Sequence, residues 1–170
     1  VSTGQESVEY IHLPAGSPLP PIEPAPRRVI VIVEQDVTSE WQDEVSQWIV
    51  DSGCLYMMAW GRDCTSWDCS VDWANLKAIG TEELSDDNHV MTTWHESEPL
   101  HDVFFFARMC AFHPTMPLPL LTILDIREEA RESAIRALHE AESAGLLEDA
   151  LEDPRHLPFR DRLKILMRTK

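Results

Sequence analysis

Basic residues are scarce in this chain. Fourteen Lys and Arg stand against thirty Asp and Glu, for a formal net charge of −16. Nucleic-acid phosphates and anionic bilayers are bound by neutralising phosphate with Lys and Arg, so a surface this short of cations suits neither. A basic protein partner suits it better. Cysteine is scarce too: Cys54, Cys64, Cys69 and Cys110 among 170 residues are too few and too scattered for a disulfide framework. A chain of this length buries a core without such staples, which leads us to expect a reducing, cytoplasmic setting. No run reaches the roughly 18 apolar residues of a membrane span. The opening VSTGQESVEYIHLPAG also lacks the basic start and apolar centre of a targeting signal.

Ligand signatures are missing as well. No GxGxxG follows the first apolar run, and no GxxxxGKS or GxxxxGKT occurs anywhere, so the usual phosphate-cradling loops are absent. Cys64 and Cys69, with His89, His95 and His101 downstream, form neither a CxxC pair nor an HExxH helix, the close pairings that make a zinc site specific. We therefore expect no cofactor and no metal.

What is present is an alternation of apolar runs and amphipathic segments. Residues 1–27 hold prolines at Pro14, Pro18, Pro20, Pro21, Pro24 and Pro26, which keep the segment out of helices and central strands and predict an extended arm that Tyr10, Ile11 and Leu13 tie down. RVIVIV (Arg28–Val33) is a β-branched run without polar alternation, as in a strand covered on both faces. A helix is predicted from Ser39, with Gln42 at capping-box spacing, a stripe of Trp41, Val45, Trp48, Ile49 and Ser52, and Gly53 as its stop. A second strand, Leu55–Trp60, leads into a helix starting near Thr65 or Ser66, with Trp67, Val71, Ala74 and Ala78 inward. Polar GTEELSDDN follows as an exposed connection.

The third strand is read over His89–Trp94, and its helix starts at Glu98 or Pro99, with Leu100, Val103, Phe104 and Ala107 inward. The fourth, LPLLTILDI, carries Pro119 at its start, and Asp125 caps a final helix running to Gly145. The body is thus residues 28–145. A tail, residues 146–170, adds a helical turn in LLEDALEDP and then a basic stretch, FRDRLKILMRTK, expected to fold back on the acidic body. Strands alternating with helices mean βαβ units, so the expected fold is α/β: a small three-layer sandwich, flavodoxin-like or Rossmann-like, with a mostly parallel four-stranded sheet in the order 2-1-3-4. That order sets the ends of the first and third strands side by side at a switch point, where open α/β sheets bind ligands.

The polar rim expected there is Glu34, Gln35 and Asp36 from the first strand, Gly61, Arg62, Asp63 and Cys64 from the second, and His95 and Glu96 from the third, with Asp125 from the fourth. Acids after the first strand resemble those of response-regulator receivers, but no lysine near the end of a late strand completes that resemblance. Polar strand ends are also what any α/β domain has, so function must be argued from specific groups. Two readings follow. In one, Glu34, Asp36, Trp60, Arg62, Trp94 and Glu96 form a surface that binds another protein, an adaptor or immunity-type neutraliser of a basic partner. Trp60, Trp73 and Trp94 fall at strand ends or off the helical stripes, and interface hot spots favour Trp. In the other, a small hydrolase or transferase uses Cys64, a thiol ahead of a helix N-terminus with His95 as its base, or His95 itself, with Asp63, Glu34 or Asp36 as acid or base.

WGRDCTSWDCSVDWAN, MTTWHESEPL and FFFARMCA together resemble a domain of unknown function found in short bacterial proteins, over roughly Arg28–Ile126. The resemblance brings no activity. It implies that Trp60, Asp63, Cys64, Trp67, Trp94 and His95 belong together.

Overall fold

The computed structural model describes residues 6–83, 85 and 87–147. Its elements are β1 (Ser7–His12), β2 (Arg27–Val33), α1 (Ser39–Asp51), β3 (Cys54–Gly61), α2 (Cys64–Ile79), β4 (Met91–His95), α3 (Leu100–Met109), β5 (Leu120–Ile126) and α4 (Glu132–Ser143). The chain divides into two compact units, Val1–Glu132 and Ser133–Lys170. The first contains the sheet; the second contains α4, whose buried side chains are Ile135 and Glu142. The helical turn and basic stretch expected in the tail lie outside the described residues.

The fold is α/β, with a five-stranded, all-parallel sheet in the order β1-β5-β2-β3-β4. This corrects the expected sheet twice. The proline-rich arm is more than an arm, since Ser7–His12 pair with β5 as a fifth strand. The expected order would have put β4 beside β2. Instead β5 lies there, and β4 is on the outside of β3. Composition explains the outcome. RVIVIV is buried along its whole length and belongs in the middle, whereas Met91, Thr92 and Thr93 of β4 are only half-buried, as befits an edge strand.

The register sorts the strands onto two faces. Val29, Val31, Val33, Met57, Ala59, Leu124 and Ile126 form one, packed in a single cluster with Trp41, Val45, Trp48 and Ile49 of α1 and Trp67 and Val71 of α2. Each fully buried branched side chain there contributes about 2 kcal/mol. The other face holds α3: Arg28 donates to the Ala107 carbonyl, and Tyr56 meets Phe106 edge-on at 6.2 Å. Helices on both faces make three layers. Two successive βαβ units wind the same way, through α1 and α2, and only α3 carries the chain back across the sheet to β5. The switch point therefore lies between β2 and β5 rather than between β2 and β4.

Local details follow from single residues. The cap of α1 is Thr38, whose hydroxyl accepts the Trp41 N–H, so the cap sits one residue before the expected Ser39. The α2 helix begins at Cys64, earlier than expected, and α3 begins after Pro99. Asp125 is not a helix cap; it is the penultimate residue of β5 and has no exposed surface. The arm is tied to α1 by two indoles, Trp41 donating to the Ser17 carbonyl and Trp48 to that of Pro20. At the end of β3, Gly61 has φ +94°, and a Cβ there would sit 2.4 Å from the Val33 carbonyl oxygen. Only glycine lets β3 run that close to the end of β2.

Candidate functional site

One register row crosses the carboxyl rim on the α3 face, His12 beside Asp125, Asp125 beside Ile32, Ile32 beside Trp60, and Trp60 beside His95. Its two halves have different chemistry.

At the β1-β5-β2 half, the switch point is filled by the protein's own charges. The buried Asp125 carboxylate takes two parallel bonds from Arg131, Nε to Oδ2 and Nη2 to Oδ1, both 3.0 Å, and a third from the Tyr10 hydroxyl at 2.8 Å. The backbone N–H of Arg131 returns to the Tyr10 oxygen at 3.1 Å. Glu34 closes the set, reaching Arg131 at 2.7 Å and Arg127 at 3.4 Å. Burial pulls the Arg131 guanidinium down, but Asp125 and Glu34 more than reverse it and hold it above its ordinary value. Burial also pushes the Tyr10 hydroxyl up to about 12, the backbone N–H of Arg131 opposing and Asp125 adding to the rise. Two carboxylates against two guanidiniums leave no net charge, and a bidentate buried pair of this kind acts as a latch.

The β3-β4 half is open. Trp60 is half-buried, its indole donating to the Glu98 carbonyl at 2.7 Å. His95 is buried; its Nδ1 meets the Glu98 carboxylate, its Nε2 lies 3.2 Å from the Thr93 hydroxyl, and Phe106 packs edge-on against the ring. Arg62 and Asp36 form an exposed ion pair at 2.9 Å, of a kind that contributes little energy. Asp63 is exposed with φ 50°, and its side chain does not cap α2. Cys64 is only 1% exposed and belongs to the core cluster on the α1 and α2 face, so its thiol and the His95 ring are on opposite faces of the sheet. Burial pushes the Cys64 thiol up; the backbone N–H of His95 opposes this, and the charge of Glu96 adds to it.

Beyond Cys64 the outer side of α2 runs along β4. The Thr92 hydroxyl donates to Asp72 at 2.8 Å, and Asn75 brackets the strand's entry, donating to the Asn88 carbonyl and accepting from the Val90 N–H. Asp68, one turn before Asp72, has a buried Oδ1 without a partner. Burial pushes its carboxyl up and Asp72 adds to the rise, against the pull of the Thr92 hydroxyl. Trp94 stands in solvent on this edge at 52% exposure, whereas Trp73, 73% exposed, continues the row of Ser66 and Ser70, which meet α1, with Leu76 exposed one turn beyond it. Among the described residues no strand pairs with the outer edge of β4.

The residues singled out from the sequence therefore separate into groups. Trp60, Arg62, Asp63, Trp94, His95 and Glu96 share the open half; Asp36 reaches it through Arg62, and Glu34 belongs to the latch. Trp73, off its stripe, lies outside that half, exposed on the side of α2 turned away from β4. Tyr10, Arg127 and Arg131 were missed, because nothing in their local sequence links them to Asp125. Among the described residues no three His, Cys, Asp or Glu side chains are grouped to hold a metal ion, and no helix is long and apolar enough to cross a membrane.

Compared with known proteins, residues 8–142 match the family model described as a domain of unknown function (DUF7684). No curated protein and no solved structure matches the chain.

Proposed function

This chain belongs to that family of unknown function, and from its site alone we propose that it is a protein-binding module whose outer β4 edge and adjoining α2 face receive an extended, basic segment of a partner. The observation that carries the reading is the exposed indole of Trp94 on an edge strand with no neighbour among the described residues. An open edge offers main-chain donors and acceptors to an added strand, and an aromatic anchor on it supplies contact area. Asp68, Asp72 and Glu96 lie along the same edge and supply negative charge for a Lys or Arg of the incoming segment. The net charge of −16 adds long-range attraction for such a segment and speeds its encounter.

The alternative, a hydrolase or transferase built on Cys64 and His95, has weaker support. A nucleophilic thiol needs a depressed pKa and an adjacent base. Here burial raises the thiol, and both imidazole nitrogens face Glu98 and Thr93 across the sheet from it.

The test is capture on immobilised protein at low and moderate salt, with the retained proteins identified and β4 amide exchange followed in the complex. We expect a basic partner whose binding slows exchange at residues 91–95, weakens with salt, and falls at least tenfold in Trp94→Ala but not in Trp73→Ala, while the stability of both variants stays within about 0.5 kcal/mol of the parent. Retention of acidic proteins only, or of partners indifferent to Trp94→Ala, would overturn the reading.

A further inference from the structure

The amino end of the sheet, remote from the β3-β4 carboxyl rim, carries a cavity of about 480 Å³ between Arg28 at the start of β2 and the segment from Ala111 to Leu118. Pockets of this size hold small molecules. Arg28 is 8% exposed. Its guanidinium donates to the Glu6 carboxylate and to the carbonyls of Ala107 and Leu118, while its Nε, also buried, has no partner. A buried donor without an acceptor carries a standing desolvation penalty that a bound acceptor would remove.

The opposite wall is stiff. Pro114 and Pro117 fix the backbone of the segment. His113, itself buried, accepts the backbone N–H groups of Thr115 and Met116 at Nδ1, at 3.3 and 3.2 Å. That assigns the imidazole proton to Nε2 and makes the ring a hydrogen-bond donor on its free side. The Thr115 hydroxyl is committed outward to Asp87. Phe112 lines the cavity yet remains 62% exposed, and Met116 and Leu118 complete an apolar wall. The lining residues include a guanidinium and an imidazole, and the Glu6 carboxylate that pairs with the guanidinium leaves its Nε without an acceptor.

We propose that this cavity binds a small organic acid, a carboxylate on a compact apolar or aromatic body, with the carboxylate toward Arg28 and His113 and the body against Phe112, Met116 and Leu118. The proposal is independent of the partner surface on β4.

The probe is 4-fluorobenzoate followed by fluorine NMR on the full chain, with 4-fluorobenzamide as the uncharged match. Saturable binding of the acid at millimolar concentration is expected, with the amide at least tenfold weaker. Met116→Glu, which places a carboxylate in the cavity, should weaken the acid at least tenfold, and Phe112→Ala should weaken acid and amide alike. Phe112 and Met116 are not in the sheet, so both variants should keep the parent's circular dichroism. Absence of saturation by the acid overturns the proposal, and so does equal binding of acid and amide or indifference of the acid to Met116→Glu.

Discussion

The two halves of one carboxyl rim are finished in opposite ways. Between β5 and β2, where open α/β sheets usually place a ligand, Asp125, Arg131, Glu34, Arg127 and Tyr10 neutralise one another and fill the crevice. Between β3 and β4, the Trp94 indole and the carboxylates of Asp63 and Glu96 are left in solvent, beside the internal pairs Arg62–Asp36 and His95–Glu98. Charge by itself does not mark a working surface. What separates the halves is whether each group is already satisfied inside the chain.

That contrast can be broken from the closed side first. Asp125→Ala leaves Arg131 and the Tyr10 hydroxyl facing an uncompensated cavity, and loss of one partner of a buried ion pair costs about 3–5 kcal/mol. Urea denaturation should show it, and a loss below about 1 kcal/mol would mean that the latch is not structural. Gly61→Ala strikes the seam between the halves. Its methyl group would meet the Val33 carbonyl and would have to adopt a positive φ, an expected loss of about 1–3 kcal/mol by the same measurement.

Alkali should loosen the closed half through Tyr10 and the amino end of the sheet through Cys54. Tyr10 is raised from 10.0 to about 12, and buried Cys54 from 9.0 to about 12. A raised folded-state value means that the stabilisation is complete below the unfolded value and is lost as pH rises through the folded one. The urea midpoint should therefore fall between about pH 9 and 12, and Tyr10→Phe should flatten the part of that fall above pH 10. The smallest effect belongs to the open side. Asp68→Asn removes a like charge from Asp72 and, with solvent screening that pair, should stabilise the free protein by no more than about 0.5 kcal/mol at neutral pH. The gain should vanish in acid, where the raised carboxyl of the parent is itself protonated.

Much of the fold was legible in the sequence because each layer is written locally. RVIVIV is buried throughout, and the stripe of Trp41, Val45, Trp48 and Ile49 faces the core as its spacing predicts. Strand order is not local. The half-polar character of HVMTTW was the available sign that it is an edge, and the regular alternation of elements hid it. β1 was obscured by the prolines that follow it, although SVEYIH itself contains none. The site divides along the same line. Trp60, Trp94, His95 and Glu96 end neighbouring strands and were found together, whereas Tyr10 meets Asp125 across 115 residues, a pairing that no short-range pattern encodes.

That last separation has a consequence for how the molecule comes into being. Among the described residues β1 has one neighbour, β5, and β5 is the last strand to be made. A chain emerging from synthesis can assemble β2, β3 and β4 with their helices while its first strand waits unhoused. The hydroxyl that completes the Asp125 latch arrives only when Ser7–His12 dock beside Leu120–Ile126. Contacts this distant in sequence close slowly, so the seating of Ser7–His12 should be the final and slowest step of folding.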